Sequence, residues 1–348
     1  MLQSYEKSEI NSRKRKKKMI NMTTEDERYM RRCIQLARCG EAGAAPNPMV
    51  GAVVVWQGQI IGEGYHRKCG GPHAEVNAIR SVRQPELLQE STLYVSLEPC
   101  AHYGKTPPCA DLIVSCRIPR VVVGCMDPFA KVNGLGVKKM RDAGIHVEVG
   151  VLEQECLRLN ERFITFHSKH RPWITLKWAQ SSDGFIARKD GSAVAFSTAL
   201  TQVLVHRLRT RHQAIMVGTH TAMWDNPTLT AREWQGNHPL RVTIDRHGTL
   251  PDTLYLKDGS MPTRIYETGN LEEILSDLYA LGIQSLLVEG GAALHRTFLE
   301  TGLWDEVRVE ISPLMLGEGI PAASLSGAVL ESEELFGANK VCLYRPKS

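Results

Sequence analysis

Three short stretches of the sequence carry residues that could hold a catalytic metal ion: His73-Ala74-Glu75, Pro99-Cys100 and Pro107-Pro108-Cys109. One imidazole and two thiolates form a three-ligand zinc set, and an open fourth position for water is typical of catalytic zinc. Each stretch is predicted to open a helix, whose positive N-terminal end favours the thiolate that binds metal. We therefore predict that His73, Cys100 and Cys109 bind one Zn²⁺ ion per chain.

Glu75 is the predicted proton carrier of this site. It lies two residues after His73, about 200° around a helix, so we expect that the two side chains cannot both approach the metal from one side. The carboxylate is then free to take a proton from a zinc-activated water and hand it to a departing amine. Hydrolytic deamination of an aminopyrimidine or a purine requires this transfer, and the sequence thus predicts a zinc deaminase with Glu75 as catalytic residue.

Taken one at a time, these residues have simpler explanations. A lone histidine is usually a satisfied surface or core residue, and a lone cysteine is usually a small buried hydrophobe. The combination of the three stretches argues against both. Nucleic-acid deaminases carry two cysteines in a P-C-x-x-C motif, whereas Cys100 and Cys109 are nine positions apart. Cys69 lies near His73, and five other thiols are interpreted as structural: Cys33, Cys39, Cys116, Cys125 and Cys156.

The composition is that of a globular chain. Its 348 residues are 43% hydrophobic and 23% charged, which excludes disorder throughout and allows two domains. The longest uninterrupted apolar run, residues 49–56, is far shorter than the roughly 20 residues of a membrane span, so we expect no membrane partner. No apolar stretch follows the basic residues near the N-terminus to form a secretory signal, and a reducing, cytoplasmic setting is expected.

The charge distribution argues against a nucleic-acid partner. The formal net charge is +4, but six basic residues stand in one run from Arg13 to Lys18. Without these six, 36 of the 42 basic residues remain against 38 acidic ones, so no basic face is expected on the folded body. Residues 1–21 are interpreted as a basic, disordered tail, and a nuclear-targeting or nucleic-acid arm is the less favoured alternative.

Alternating strands and helices are predicted to position these residues. Helical spacing predicts a first helix over 24–39, and two β-rich runs around Gln57-Gly58 predict a hairpin. After a helix that starts near His73, the remaining pattern alternates between strands over 92–97, 120–124 and 145–149 and helices over 109–116, 134–143 and 152–168. Such alternation predicts a layered α/β domain.

A domain boundary is expected at the polar stretch from His167 to Pro172, because a new strand pattern begins at Trp173. We predict one domain over residues 22–168 and a second α/β domain over residues 172–348. The pattern of the second domain predicts strands over 173–177, 213–218, 240–245, 284–289 and 305–311, and helices over 198–210, 270–281 and 292–301.

No glycine-rich stretch makes a convincing Rossmann loop. A better candidate for phosphate binding is the apolar strand that ends in Glu289-Gly290-Gly291 and leads into a helix at Ala292. Its glycines would let a phosphate approach backbone N–H groups at the helix start. An ordinary strand-to-helix turn is the alternative, and the spacing alone favours that alternative.

Longer motifs surround the candidate ligands: Pro46-Asn47-Pro48-Met49-Val50-Gly51, residues 71–75 and residues 98–109. In these motifs, and in the long interval between the two cysteines, the chain resembles the RibD family of bifunctional deaminase-reductases in riboflavin biosynthesis. The resemblance extends over nearly the whole chain from about Thr24. It implies an N-terminal cytidine-deaminase-like three-layer αβα domain that binds Zn²⁺, over 22–168, and a C-terminal dihydrofolate-reductase-like α/β domain that uses NADPH, over 172–348.

For the first domain, the resemblance implies the same zinc ligands and the same proton carrier, and it adds substrate contacts. Asn47 is expected to hold the substrate. His102 and Lys105 are expected near the ribose phosphate, where a donor and a cation are suitable. Asp127 matches the acidic residue of the family's D-P-N-P stretch, in which Phe129 replaces the asparagine here.

For the second domain, the resemblance implies two sets of contacts. NADPH is expected to contact Ala179, Thr221, Asp225, Gly291, Ala292, Ala293, Leu294, His295, Arg296 and Thr297. The substrate is expected to contact Lys177, Arg209, Leu229, Arg232 and Glu289. Two guanidinium groups suit a phosphorylated sugar, although solvated surface charge is the alternative for both arginines, and more so for Arg209. Ala193, Ala195 and Arg246 depart from the family pattern, and Arg246 is placed to meet the 2′-phosphate of NADPH.

The resemblance implies two successive reactions on a small pyrimidine ribosyl phosphate. The compound 2,5-diamino-6-(5-phosphoribosylamino)pyrimidin-4-one is first deaminated, and NADPH then reduces its ribosyl group, giving 5-amino-6-(5-phosphoribitylamino)uracil. A homodimer is expected at the family level. One alternative is a tRNA or nucleic-acid adenosine deaminase, which requires cysteines two residues apart and a basic body. The other is a binding or regulatory protein with one inactive domain, which fits the departures at Phe129, Ala193 and Ala195.

Overall fold

The chain folds as two compact units, Met1–Ser168 and Lys169–Ser348. The computed structural model describes residues 25–103, 107–128, 134–192 and 194–347. The predicted basic tail over 1–21 lies outside these ranges, as do Lys105, Phe129 and Ala193. Within the described ranges, no helix combines the length and the apolar character that crossing a membrane requires.

The first unit contains a five-stranded sheet with the order β2-β1-β3-β4-β5. Its strands are β1 Gly51–Trp56, β2 Gln59–Tyr65, β3 Thr92–Leu97, β4 Arg120–Cys125 and β5 His146–Val149. Its helices are α1 over residues 25–38, α2 Ala74–Ser81, α3 Cys109–Ser115, α4 Leu135–Asp142, α5 Glu153–Leu159 and α6 Glu161–Lys169. The predicted hairpin is confirmed, since β1 and β2 pair antiparallel.

Helices cover both faces of this sheet. Along β1 the side chains alternate between faces, so that Val54 joins a cluster with Ile79 of α2 and Met140 of α4. The neighbouring residue, Val53, joins the opposite cluster with Met30 of α1. The structure therefore has the predicted three layers, α, β and α, in the first unit.

Parallel pairing in this sheet brings the predicted site residues to one edge. Strand β3 pairs parallel with β4, and β4 pairs parallel with β5, so their carboxyl ends lie on the same side. Cys100 follows β3 within three residues, and Asp127 follows β4 within two. Residues that are 27 positions apart in the sequence are thus brought to neighbouring strand ends.

The prediction of one helix over 152–168 is wrong, because the structure has α5 and α6 with a break at Asn160. The Asn160 side chain is buried and binds the backbone of Met49 in both directions. Its Oδ1 accepts from the Met49 N–H at 2.8 Å, and its Nδ2 donates to the Met49 carbonyl at 2.9 Å. A tertiary contact therefore interrupts a segment that is locally helical in pattern.

The second unit contains an eight-stranded sheet with the order β10-β9-β8-β11-β6-β12-β15-β14, and β7 pairs separately with β13. Its strands are β6 Trp173–Gln180, β7 Phe185–Ala187, β8 Ala214–Val217, β9 Leu240–Ile244, β10 Thr263–Tyr266, β11 Ser285–Val288, β12 Glu306–Ile311, β13 Ile320–Pro321, β14 Ala328–Phe336 and β15 Asn339–Pro346. Its helices are α7 Ala199–Thr210, α8 Thr219–Asp225, α9 Leu271–Ala280 and α10 Ala292–Glu300.

The six strands β10, β9, β8, β11, β6 and β12 pair parallel with their neighbours in the sheet. A separate hydrophobic core lies on each face of this sheet. Leu176 of β6 packs in a cluster with Leu275 of α9 and Phe298 of α10. Leu208 of α7 packs on the other face with Leu287 of β11. The predicted α/β architecture is confirmed, and the carboxyl ends of β8, β9 and β11 meet at one edge.

Strands β14 and β15 were not predicted from the sequence. They form an antiparallel hairpin at the sheet edge, and β15 also pairs antiparallel with β12. Most of β14 is exposed, and three glutamates interrupt its apolar residues. No period-two hydrophobic pattern is therefore present to indicate a half-buried strand.

Candidate functional site

The structure brings the three predicted metal ligands together. His73 Nδ1 lies 3.6 Å from Cys100 Sγ and 3.3 Å from Cys109 Sγ. The three ligand atoms lie within 4.8 Å of one another, and Cys69 is not part of this group. His73 caps the start of α2, and Cys109 is the first residue of α3. This nitrogen-and-sulfur donor set fits zinc with one coordination position left for a water or substrate.

Local hydrogen bonds favour a thiolate at this centre. The hydrogen bond from Cys109, together with the nearby His73, lowers the pKa of Cys100 well below its usual range. The backbone N–H of Cys109 also donates to Cys100 Sγ at 3.4 Å, and this N–H belongs to the first turn of α3. The first thiol of the pair therefore ionises readily, as metal binding requires.

Glu75 is buried beside these ligands, with 3% of its surface exposed. Burial raises its pKa to about 7, and it lies close enough to Cys109 for each side chain to shift the pKa of the other. The predicted separation of about 200° between His73 and Glu75 assumed helical geometry, which the structure does not have at His73. His73 is the N-cap and has extended backbone angles, φ −72° and ψ 169°, so helical spacing does not apply to the pair.

Glu98 organises the turn that carries Cys100, and sequence analysis gave it no role. The residue is 4% exposed, and its carboxylate accepts hydrogen bonds from the backbone N–H groups of Asp127, Gly134, Gly136 and Val137 at 2.9 to 3.4 Å. These donors include the start of α4, where a negative charge is favourable. A charged residue directly after an apolar strand was the signal for this anchor, which ties the Cys100 turn to Asp127.

Replacing Glu98 with alanine is expected to lower the unfolding free energy of the first unit by about 3 kcal/mol, because buried N–H groups lose their acceptor. Calorimetry of the full chain measures this, with the transition of the second unit as internal reference. Exposed Glu86 offers the matched control, Glu86→Ala. An equal melting temperature for Glu98→Ala and wild type would contradict the role of Glu98 as an anchor.

Three of the other predicted substrate positions of the first unit lie within the described residues: Asn47, His102 and Asp127. Asn47 is half-buried and its Nδ2 lies 3.1 Å from His66 Nε2. His102 is half-buried in the loop after Cys100, and Asp127 is buried after β4. Lys105 lies outside the described residues.

A cavity of about 450 Å³ lies on one face of the large sheet in the second unit. Its wall includes every residue predicted to contact the substrate in this unit, and it also includes Ala179. These residues are Lys177, Arg209, Leu229, Arg232 and Glu289. The structure therefore gathers side chains from β6, α7 and the segments that follow α8 and β11.

Arg209 and Glu289 form a buried ion pair in this cavity. Arg209 Nε and Nη2 donate to the two Glu289 oxygens at 2.9 and 2.7 Å, and Nη1 donates to the Thr230 carbonyl at 2.8 Å. The alternative of solvated surface charge is wrong for Arg209, whose side chain is 14% exposed, whereas that of Arg232 is 61% exposed. Arg209 thus orients Glu289, and Arg232 is the arginine with its guanidinium in solvent.

Lys177 lies on β6 at the floor of the cavity. Burial lowers the pKa of its ammonium group, while the nearby carboxylates of Glu289 and Glu310 favour its charged form. A lysine whose pKa is lowered by burial gives up its proton more readily than an exposed lysine does.

The cavity wall over residues 194–197 is clamped by two residues that sequence analysis did not find. Ser197 Oγ donates to Glu310 at 2.7 Å, and Asn339 Nδ2 donates to the Phe196 carbonyl at 2.9 Å. Asn339 Nδ2 also donates to Glu310 at 2.5 Å. The signal for this clamp was Glu310, a carboxylate in strand β12 between two apolar residues.

Two strand-to-helix connections at the carboxyl edge of the sheet carry predicted cofactor positions: one joins β8 to α8, and the other joins β11 to α10. Gly290 and Gly291 have φ values of +154° and +82° and lead into α10. A Cβ atom at Gly290 would stand 3.0 Å from Thr221 Cγ2, so the two turns are closely packed. Backbone N–H groups of the first turn of α10 lack partners within the helix and suit a phosphate, as NADPH binding requires.

Within the stretch from Ala292 to Thr297, the exposure of the side chains differs. Ala293, Arg296 and Thr297 are exposed, whereas Leu294 and His295 are buried. His295 Nε2 lies 3.0 Å from the Val288 carbonyl, and its ring lies 5.1 Å from that of Trp178. The side chains of Leu294 and His295 are therefore packed inside the unit, and the predicted cofactor contacts at these two positions, which stay predictions, would be made by their backbone.

Comparison with known proteins finds the same two parts. Residues 23–125 match the cytidine and deoxycytidylate deaminase zinc-binding region, and residues 172–334 match the RibD C-terminal domain. The riboflavin biosynthesis protein RibD of Aquifex aeolicus is 40% identical, over 91% of this chain and 95% of that protein. The Bacillus amyloliquefaciens protein of the same name is 38% identical, over 88% and 90%.

Solved structures are similar over the same length. The crystal structure of a diaminohydroxyphosphoribosylaminopyrimidine deaminase/5-amino-6-(5-phosphoribosylamino)uracil reductase from Thermotoga maritima superposes with a TM-score of 0.85 at 37% identity, covering 93% of this chain and 99% of that one. Acinetobacter baumannii RibD superposes with a TM-score of 0.84 at 33% identity, covering 94% and 100%.

Proposed function

The chain belongs to the RibD family of bifunctional riboflavin-biosynthesis enzymes, and we propose that its first unit deaminates a pyrimidine ribosyl phosphate whose sugar its second unit then reduces. It is both a deaminase and a reductase, and its cofactors are Zn²⁺ and NADPH. The observation that carries the proposal is the convergence of His73, Cys100 and Cys109 beside the buried Glu75.

In the first unit, the chain's own residues bind the substrate and move protons. Zinc held by the three ligands supplies Lewis-acid activation of a water molecule. Glu75 accepts a proton from the attacking water and returns it to the amine nitrogen, so that a C–O bond forms, the C–N bond breaks and ammonia leaves. Asn47 holds the ring of 2,5-diamino-6-(5-phosphoribosylamino)pyrimidin-4-one. His102 and Lys105 contact its ribose phosphate, and Asp127 is a further substrate contact.

In the second unit, the substrate is 5-amino-6-(5-phosphoribosylamino)uracil. NADPH supplies the hydride for C1′ of the sugar. Lys177 donates the proton that the ring oxygen requires when its bond to C1′ breaks, which leaves an open ribityl chain. Glu289, oriented by Arg209, holds the sugar beside Lys177, and Arg232 meets the phosphate. Leu229 contributes an apolar wall.

NADPH is proposed to lie along the carboxyl edge of the second sheet. Its contacts are Ala179, Thr221, Asp225 and the backbone from Gly291 to Thr297, with the side chains of Ala293, Arg296 and Thr297 available. The exposed Arg246, two residues beyond β9 at the same edge, is proposed to meet its 2′-phosphate. The homodimer and the cytoplasmic setting stay predictions. Sedimentation in the analytical ultracentrifuge tests the homodimer, and cell fractionation tests the cytoplasmic setting.

Metal removal tests whether deamination depends on zinc while reduction by the second unit does not. Removing about nine-tenths of the zinc with a chelator is expected to leave about one-tenth of the deamination rate, because each active site needs its own ion. Reduction of the deaminated compound with NADPH is expected to stay unchanged, and added zinc is expected to restore deamination. Deamination by the metal-free chain, or a parallel loss of reduction, would show that the proposal is wrong.

A further inference from the structure

His66 lies buried between the predicted substrate contact Asn47 and the segment that carries the zinc ligand His73. It follows β2 directly, and 3% of its surface is exposed. Its Nδ1 lies 3.1 Å from the Pro72 carbonyl oxygen, and its Nε2 lies 3.1 Å from Asn47 Nδ2. Its ring meets that of His73 edge to face, with centroids 5.3 Å apart. Both ring nitrogens are therefore engaged.

The partners of this ring determine where its proton lies. The Pro72 carbonyl can only accept, so Nδ1 carries the hydrogen. The amide nitrogen of Asn47 can only donate, so Nε2 offers its lone pair. One donating and one accepting nitrogen define a neutral imidazole with the Nδ1–H tautomer.

This chain of hydrogen bonds also fixes the direction of the Asn47 amide. With Nδ2 committed to His66, the amide cannot turn over without placing Oδ1 against the Nε2 lone pair. Within the described part of the chain, no hydrogen bond reaches Asn47 Oδ1. The half-buried amide thus has an acceptor oxygen left for a ligand.

We propose that His66 is a positioning residue for deamination, which holds the Asn47 amide so that Oδ1 accepts a hydrogen bond from an N–H group of the substrate. The proposal rests on the proposed function, in which Asn47 contacts an aminopyrimidine. A substrate ring that presents an amine or a ring N–H to Asn47 Oδ1 forms a hydrogen bond. A ring that presents only an acceptor to Oδ1 leaves two lone pairs facing each other and binds less well.

The tautomer can be observed directly in the zinc-loaded full chain with ¹⁵N-labelled histidine. Nitrogen NMR at neutral pH is expected to show His66 with a protonated Nδ1 and an unprotonated Nε2, and the His66→Phe spectrum identifies the signal by its loss. A protonated Nε2, either as the other tautomer or as imidazolium, would overturn the proposal, because Asn47 would then have to present its amide the other way. If His66→Phe does not fold, the His66 signal is assigned by elimination, because substitutions at the other histidines assign their signals. The tautomer itself is measured in the wild-type chain.

A double-mutant cycle separates positioning from a structural role. His66→Phe and Asn47→Ala are each expected to lower kcat/KM for deamination by about tenfold, the cost of one substrate hydrogen bond. The double variant is expected to lie within about twofold of Asn47→Ala, because His66 acts through Asn47. Multiplied effects would overturn the proposal, since His66 would then act by another route, such as the Pro72-His73 segment.

Controls distinguish this failure from failure of the proposed function. His146→Phe replaces an exposed histidine of the same unit and is expected to behave as wild type. Zinc content and reduction by the second unit are measured for every variant. A wild-type chain that releases no ammonia would refute the deaminase assignment, and an unaffected Asn47→Ala would refute the Asn47 contact; either result removes the basis of the proposal as well.

Discussion

Glu75→Gln is expected to deaminate roughly 10³-fold more slowly than the wild type, within the range that a positioned general acid and base contributes. Glutamine keeps the shape of the side chain but cannot carry the proton from water to the leaving amine. The wild-type carboxyl is suited to both steps, because burial raises its pKa to about 7 and it can exchange a proton near neutral pH. Ammonia release under single-turnover conditions measures the loss.

The variant is expected to keep its zinc, since the ligand atoms belong to His73, Cys100 and Cys109. Reduction of the deaminated compound is expected to proceed at the wild-type rate. Glu86→Gln provides the control for neutralising an acid of the same unit, because Glu86 is exposed. Deamination by Glu75→Gln at more than about one-tenth of the wild-type rate, with zinc bound, would show that another group moves the proton.

Lys177→Met is expected to lower the reduction rate by roughly 10³-fold while deamination is unchanged. Methionine fills similar space but removes the proton that the ring oxygen of the sugar needs. It also removes a cation that lies near the carboxylates of Glu289 and Glu310, while Arg209 still pairs with Glu289. Consumption of NADPH with the deaminated substrate measures the effect, and NADPH binding measured by fluorescence shows whether the cofactor site is intact.

Lys347 is exposed, so Lys347→Met is the matched control in the same unit and is expected to reduce at the wild-type rate. A separate increase in KM with unchanged kcat for Lys177→Met would contradict the proton-donor role, since it would show that Lys177 only binds the substrate. Wild-type kinetics for Lys177→Met would exclude Lys177 from the reaction altogether.

Local patterns were sufficient to predict much of the fold. The hairpin around Gln57-Gly58, the helix start at His73 and the central strands of both sheets follow from hydrophobic spacing and turn residues. The failures lie where tertiary contacts decide. Asn160 ends α5 because its amide binds Met49, and β14 is an exposed edge strand with three glutamates. Neither effect leaves a periodic signal in the sequence.

The candidate sites were predictable where chemistry restricts residue type. Zinc favours histidine and cysteine ligands, so the motifs around His73, Cys100 and Cys109 were visible in the sequence. The prediction that Pro99-Cys100 opens a helix is wrong, because Cys100 lies in the loop after β3 and the next helix begins at Cys109. The supporting contacts were not visible, because the Glu98 carboxylate accepts a backbone N–H group 39 positions away and the His66 ring lies beside Asn47, 19 positions away. Arg209 shows the same limit: its helix looked basic and exposed, but pairing with Glu289, 80 positions away, buries it.

The measurement that tests the central claim most directly is mass spectrometry of the diaminopyrimidine ribosyl phosphate after incubation with zinc-loaded protein, with and without NADPH. We expect one amine to be replaced by oxygen without NADPH, and we expect two further hydrogens to be gained only when NADPH is present. An unchanged substrate in zinc-replete protein would contradict the deaminase assignment. Reduction that precedes loss of the amine would contradict the order of the two reactions.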